Sequence, residues 1–520
     1  MNLLEYGVGK LRKASVVSEW CLVYTALLCL VFRLWVMVLP ASLWLDETST
    51  AWIVLHGPKD IVARTAHWPA VSPLYHYVAW FASAIGGRSE VALRLPSLIL
   101  MAASAVFVFL IARRLMSNDA ALFSVVLFVG HPAVAFAAAD ARPYALATCC
   151  FLWSTLVLLR WMETQRLRDA AGYAVLMGLA VHVHHVFAAG MLLHATWILI
   201  QCFSMPMRGK GPLLSLSVLA AIPMIAAAPK FLSIYQALGI FPTSGVRPTM
   251  LFEEVFSPGF VGAVVLGVLG AVFVGASFKR NCLKAGEIGL LYIAAWIIVP
   301  SVTLFSASMI LKVSLLETRY LVWVAPGLAL LGGCIVGSIQ QSKARQISIA
   351  IIAATLLMVF GSVRTLLPRH GNQDWRAALA SAAKHSHGEG TIVLFHIPYF
   401  EGRLPDWEAH AHPSGFLMSP LAVYPVPGRI LALPYEIGPT TVSYMEKLSS
   451  KTLVHSRKLV LVEAQPRTGL KSWLEGRLSP CGFRSAAAED FGGPQVWVFD
   501  RPFSIRSVNS LNPLASAADR

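Results

Sequence analysis

Over residues 1–369 the chain repeats one pattern, a long apolar run closed by a short polar break. A helix needs about 20 apolar residues to cross the hydrocarbon of a bilayer. Eleven runs of about that length lie near residues 19–40, 93–112, 119–138, 143–162, 169–185, 187–204, 212–230, 258–278, 286–310, 320–340 and 346–367. The first is too long for a signal-peptide core and lacks an Ala-x-Ala cleavage site, so it reads as an uncleaved signal anchor. Two long polar-bounded segments interrupt the series, at 41–92 and about 231–257. Within the first, Ser72-Pro73 followed by LYHYVAWFASAIG predicts a short amphipathic helix on the membrane surface. The second carries IFPTSGVRP, a Pro- and Gly-bearing loop.

From residue 370 the pattern changes. DWRAALASAAKH and GLKSWLEGRL read as helices, and TIVLFHI, KLVLVEA and QVWVFD as short buried strands. Strands alternating with helices predict a small α/β domain. The expectation is a multi-span α-helical membrane protein of about eleven transmembrane helices with a small C-terminal α/β domain. Residues 1–369 form the membrane domain, with a long first outer loop at 41–92, and residues 370–520 an extracytoplasmic domain. The tail beyond Arg506 reads as frayed.

Composition sharpens this. The 520 residues are 56% hydrophobic and only 13% charged, against about 25% charged in an ordinary soluble chain. A mean hydropathy of +0.64 excludes a disordered chain and a water-soluble globule. The net charge is +15, with 27 Lys/Arg and 14 Asp/Glu in residues 1–369 and 15 against 13 in the rest. Basic residues are about threefold denser in the loops on the N-terminal side of the membrane. That sets the N-terminus inside and the C-terminal domain outside. A basic excess confined to the apolar part gives no basic face for nucleic acid. The eight cysteines form no Cys-x-x-Cys pair, and six of them lie in apolar runs.

The acidic residues carry the chemistry. None falls near the centre of a span, where an ion-coupled transporter keeps its carboxylates. Asp46 and Glu47, in LWLDETSTAW, follow the first span. They could take a proton from a hydroxyl or hold a cation, or cap a helix at the interface. Asp140, in AAADARPYALA, sits at an outer turn as a salt-bridge or site residue. Arg319, in LLETRYLVW, offers the planar paired donors that fit a lipid phosphate, or it snorkels to the interface. VHVHH places His182, His184 and His185 together, with no evident fourth zinc ligand, which leaves interfacial or pocket-lining roles. His67 is a further loop candidate.

Taken together, LDETSTAW, HWPAVSPLYHYVAWFASAIGGRSEVALRLPSL, DARPYAL and ETRYLVWVAPGLALL resemble the GT-C fold polyprenyl-phosphate-dependent glycosyltransferases. Within that fold the chain resembles the bacterial relatives of protein O-mannosyltransferases and of the aminoarabinose transferase. The likeness covers about residues 15–345, and NQDWRAAL resembles the start of the family's C-terminal periplasmic domain. One departure is AVSPLYHY, where many relatives have two prolines before Leu–Tyr. Another is the missing lysine after an acidic residue there, which counts against the specific activity of the aminoarabinose transferase.

The resemblance implies transfer of a sugar, with inversion, from a polyprenyl-phosphate donor to an acceptor hydroxyl at the outer face of a bacterial inner membrane. It implies Asp46 as the base, with Glu47 assisting and Asp140 as a second acidic position. Arg319, Arg142 and Tyr320 are expected at the donor phosphate, and His67, Tyr75, His184 and His185 around the pocket. The acceptor is a lipid, a glycan or a protein, and a divalent cation is left open. A transporter or flippase of a lipid-linked sugar is the alternative.

Overall fold

In the computed structural model, residues 19–501 are described except 67–70, 205–210, 237, 239–246, 280–282, 285, 362–368, 389, 413, 465–468 and 487. His67, most of the IFPTSGVRP loop and the tail beyond Arg506 lie outside the described residues. The chain divides into two compact units. The first comprises residues 1–41 and 53–371. The second comprises Ser42–Trp52 and residues 372–520, so a short piece of the first loop groups with the C-terminal part.

The first unit is helical, and each of the eleven apolar runs contains helix among the described residues. Among the described residues seven helices are long and apolar enough to cross a membrane, including Glu19–Val36, Glu90–Leu115, Tyr144–Thr164 and Gly286–Leu311; bent pairs raise the number to as many as nine. In the first bent pair, Asn118–Gly130 meets Pro132–Ala138 at 67°. His131 and Pro132 make the break, because proline cannot continue a helix hydrogen-bond ladder. Ala325–Ser338 is shorter than the run that foretold it. In the run near 320–340, residues 321–324 are spent in a buried turn after the short Thr318–Tyr320 helix.

Small residues set the closest helix packing. A side chain at Gly333 would meet the Ala120 carbonyl at 2.7 Å and Ser124 Oγ, and one at Gly337 the Ala120 Cβ at 2.5 Å. Ala325–Ser338 therefore lies backbone-close to Asn118–Gly130, as small residues allow in membranes. The expected amphipathic helix is Pro73–Gly86, capped by the Ser72 hydroxyl. It buries Tyr75, His76 and Ala79, while Leu74, Tyr77, Phe81 and Ile85 form an exposed apolar stripe at helical spacing.

In the second unit, among the described residues, six strands form one sheet: β1 (Thr391–His396), β2 (Arg429–Leu433), β3 (Lys458–Glu463), β4 (Arg484–Ser485), β5 (Glu489–Asp490) and β6 (Gln495–Asp500). The order is β2-β1-β3-β6-β4, with β5 also on β6. β1 pairs in parallel with β2 and β3, and β6 antiparallel with β3. Alternation along the strands sends Val393, Phe395, Val460 and Val462 to one face, against Trp375 and Leu379 of the helix Trp375–His385. Ile392, Leu394, Leu459 and Leu461 face the other way, against Leu448, Leu470 and Leu474. Both faces are covered, as parallel strands require. The three strands read from the sequence are β1, β3 and β6; β2 and the helix Val442–Lys451 were not foreseen.

Candidate active site

In the first unit Asp140 lies in the turn between the short helix Pro132–Ala138 and Tyr144–Thr164, and its side chain is fully buried. Its Oδ1 is 3.6 Å from His370 Nε2, and the His370 ring stacks on Phe136 with centroids 4.4 Å apart. Its backbone carbonyl accepts from Ser97 Oγ at 2.6 Å, and Ser97 Oγ is 3.1 Å from the Tyr75 hydroxyl. Tyr75 thus braces the turn from beneath. Three residues before Ser97, the buried Arg94 donates through Nη1 to the carbonyls of Leu39 at 2.8 Å and Ala41 at 2.6 Å. These carbonyls lie in the turn that follows the first span.

A second cluster is cationic. Arg142, two residues past Asp140, and Arg319 are both close enough to act on the charge of His184. Arg142 and Lys230 do the same at His76, and Lys230 at His185. Burial, with those two cations adding to it, pushes the His76 imidazole down to about 3, so this residue of the Pro73–Gly86 helix is neutral. His76 Nδ1 lies 2.9 Å from the Ser72 carbonyl, while its Nε2 and the Nδ1 of His184 are buried without a hydrogen-bond partner among the described residues. Tyr144, His184 and Tyr320 pack together, with centroids 4.9 Å apart for Tyr144–His184 and 5.5 Å for His184–Tyr320. The Arg319 guanidinium lies 5.2 Å from the Tyr320 ring centroid. Three cations among aromatic rings and the neutral His76 suit a large anion with an apolar body.

In the second unit Asp46 and Glu47 open the helix Leu45–Val54. Glu47 is fully buried and accepts the Trp44 N–H at 3.1 Å, so its carboxylate caps its own helix. Asp46 is half-buried, in the helix's first turn. Both carboxylates gain from the positive end of the helix.

Of the residues singled out in the sequence, Arg142, Arg319, Tyr320, His184 and His185 come together, and Tyr75 joins Asp140. Asp46 and Glu47 belong to the other unit. His370, His76, Lys230, Arg94 and Ser97 were not foreseen. The Arg94-Leu95-Pro96-Ser97 pattern was visible, but it gave no sign that its two polar members clamp separate loops. Asp140 and His370 offer an oxygen and a nitrogen ligand, types that zinc accepts, and a metal held there would need further ligands.

The fold is that of the GT-C glycosyltransferases. The structure superposes on that of apo ArnT from Cupriavidus metallidurans with a TM-score of 0.53 and 13% identity, covering 93% of this chain and 98% of that one. For ArnT bound to undecaprenyl phosphate the TM-score is 0.52, at 13% identity and coverages of 92% and 97%. Residues 70–229 match the dolichyl-phosphate-mannose-protein mannosyltransferase family model. No curated protein sequence matches the chain. Apolar helices and this fold make it a multi-pass membrane protein.

Proposed function

We propose that the protein is a membrane glycosyltransferase that moves a sugar from a polyprenyl phosphate to an acceptor hydroxyl. The observation that carries this reading is the gathering of Arg142, Arg319 and Lys230 around His76 and His184 in the membrane-embedded unit. Undecaprenyl phosphate bound to ArnT, which shares the fold, supports an isoprenoid phosphate as the donor.

Asp46 takes the proton as the acceptor oxygen attacks the anomeric carbon from the face opposite the phosphate. The bond from carbon to phosphate oxygen breaks, its electrons stay on the phosphate, and the configuration inverts. General-base help of this kind is worth about 10²–10⁴-fold. Arg319 and Arg142, with Tyr320, hold the departing phosphate where little water competes. Tyr75, His184 and His185 line the sugar or donor pocket, and Asp140 fixes His370 or a cation. The location is a bacterial inner membrane, with the N-terminus cytoplasmic and the second unit periplasmic. The acceptor is a lipid, a glycan or a protein.

The test is transfer by purified protein in detergent, given membrane lipid extract and one radiolabelled polyprenyl-phosphate sugar at a time. Transfer by wild type that Asp46→Asn removes, with folding intact, supports the enzyme and its base. Transfer that survives in Asp46→Asn moves the base elsewhere. Flipping of the donor across vesicles without transfer makes the protein a transporter.

A further inference from the structure

The second unit has a strand order, β2-β1-β3, in which the connections leaving β1 and β3 diverge. In open α/β sheets, ligands bind in the crevice outside the carboxyl ends of strands at such a point. Here β1 ends at His396 and β3 at Glu463, and His396 ties the two ends: its Nδ1 accepts the Ala464 N–H at 3.2 Å and its Nε2 lies 2.8 Å from the Tyr435 carbonyl.

The crevice already holds a piece of this chain. Leu45 packs into the core that contains Phe395 and Val462. Its carbonyl accepts from the Tyr399 hydroxyl at 2.9 Å, three residues beyond the end of β1. Its N–H donates to Gln373 Oε1 at 3.1 Å. The Tyr399 hydroxyl also lies 2.7 Å from Ser419 Oγ and 3.2 Å from Thr48 Oγ1. Trp52 Nε1 donates to the Ser414 carbonyl at 3.1 Å. The segment is thus held at both ends and in the middle, by partners more than 320 residues away in sequence.

We infer that this unit takes as its ligand the chain's own Ser42–Trp52 segment, and that Tyr399 is a positioning residue for the carboxylates of Asp46 and Glu47. The inference rests on the reading of Asp46 as the base. A crevice of the kind that elsewhere takes a ligand here takes a helix of the same chain. Tyr399 hydrogen-bonds the peptide immediately before Asp46, so losing its hydroxyl frees the first turn of that helix without touching substrate.

The test compares Tyr399→Phe with Tyr444→Phe in the full-length protein. Tyr444 makes a similar half-buried bond, donating its hydroxyl to the Ala432 carbonyl at 2.9 Å. Amide exchange of the peptide covering residues 45–52, followed by mass spectrometry, is expected to speed up about tenfold in Tyr399→Phe and to stay unchanged in Tyr444→Phe. In the radiolabelled-donor assay, Tyr399→Phe lowers kcat about tenfold at an unchanged KM, while Tyr444→Phe leaves both alone. Equal effects of the two variants, or none from Tyr399→Phe, overturn the positioning role. If Asp46→Asn keeps transferring, the base assignment fails, and the exchange result still decides whether Tyr399 holds the segment.

Discussion

Arg94 has no exposed surface, and its guanidinium gathers backbone carbonyls where the first span ends. Arg94→Leu strips those acceptors and leaves them buried, so unfolding in detergent is expected to become easier by about 3 kcal/mol, with Arg94→Lys recovering part of it. A thermal melt of the three proteins decides; equal melting points remove Arg94 from the scaffold. Lys230 is the residue-scale test of the anion site. Lys230→Met should raise KM for the polyprenyl-phosphate donor about tenfold while kcat holds, because one cation of three is lost from ground-state binding. An unchanged KM places the phosphate away from Lys230. Arg142 and Arg319 were legible because each stands in a recognisable motif beside the membrane. Lys230 was not, since its place beside His76 and His185 depends on how the helix Gly211–Gln236 packs. His370 lies outside every motif, and only the fold brings it to Asp140, 230 residues earlier.

At the scale of elements, the helix pair Asn118–Gly130 and Ala325–Ser338 depends on bare glycine surfaces. Gly333→Leu drives a side chain into Ser124 and the Ala120 backbone, and is expected to cost about 1–3 kcal/mol or more. Unfolding of the variant in detergent measures it, with Gly262→Ala, which has open space at that position, as the control. The junction of β1 and β3 carries a pH prediction. Burial depresses the His396 imidazole from 6.5 to about 4, the Tyr435 carbonyl opposing it. Between those values the unfolded chain takes up a proton that the folded one refuses, so stability rises with pH and is lost as pH falls from 6.5 toward 4. His396→Asn should flatten that slope in melts of the full-length protein; an identical slope in both proteins assigns it to other groups. The strands β1 and β3 were legible as unbroken apolar runs buried on both faces. β2 was missed because it is an edge strand whose first four residues are exposed or half-buried, which leaves little apolar signal. The run near 320–340 foretold a full span, but apolarity alone does not distinguish residues facing lipid from residues such as Val322 and Trp323, buried within the protein.

For the molecule as a whole, the order of membrane helices followed by an α/β domain could be read from the switch in hydrophobic period near residue 370. The exchange of Ser42–Trp52 into the second unit could not. Nothing in LDETSTAW marks it as part of a sheet domain that begins some 320 residues later. This exchange also sets a clock. Ribosomes add about 5–20 residues per second, so roughly half a minute separates the synthesis of Asp46 from that of Tyr399 and Ser419. Throughout that interval the membrane helices are being inserted, yet the acidic helix has nothing to dock on. A nascent or prematurely terminated chain would therefore carry its acidic helix undocked, and the last domain made would be the one that holds a piece of the first loop in place.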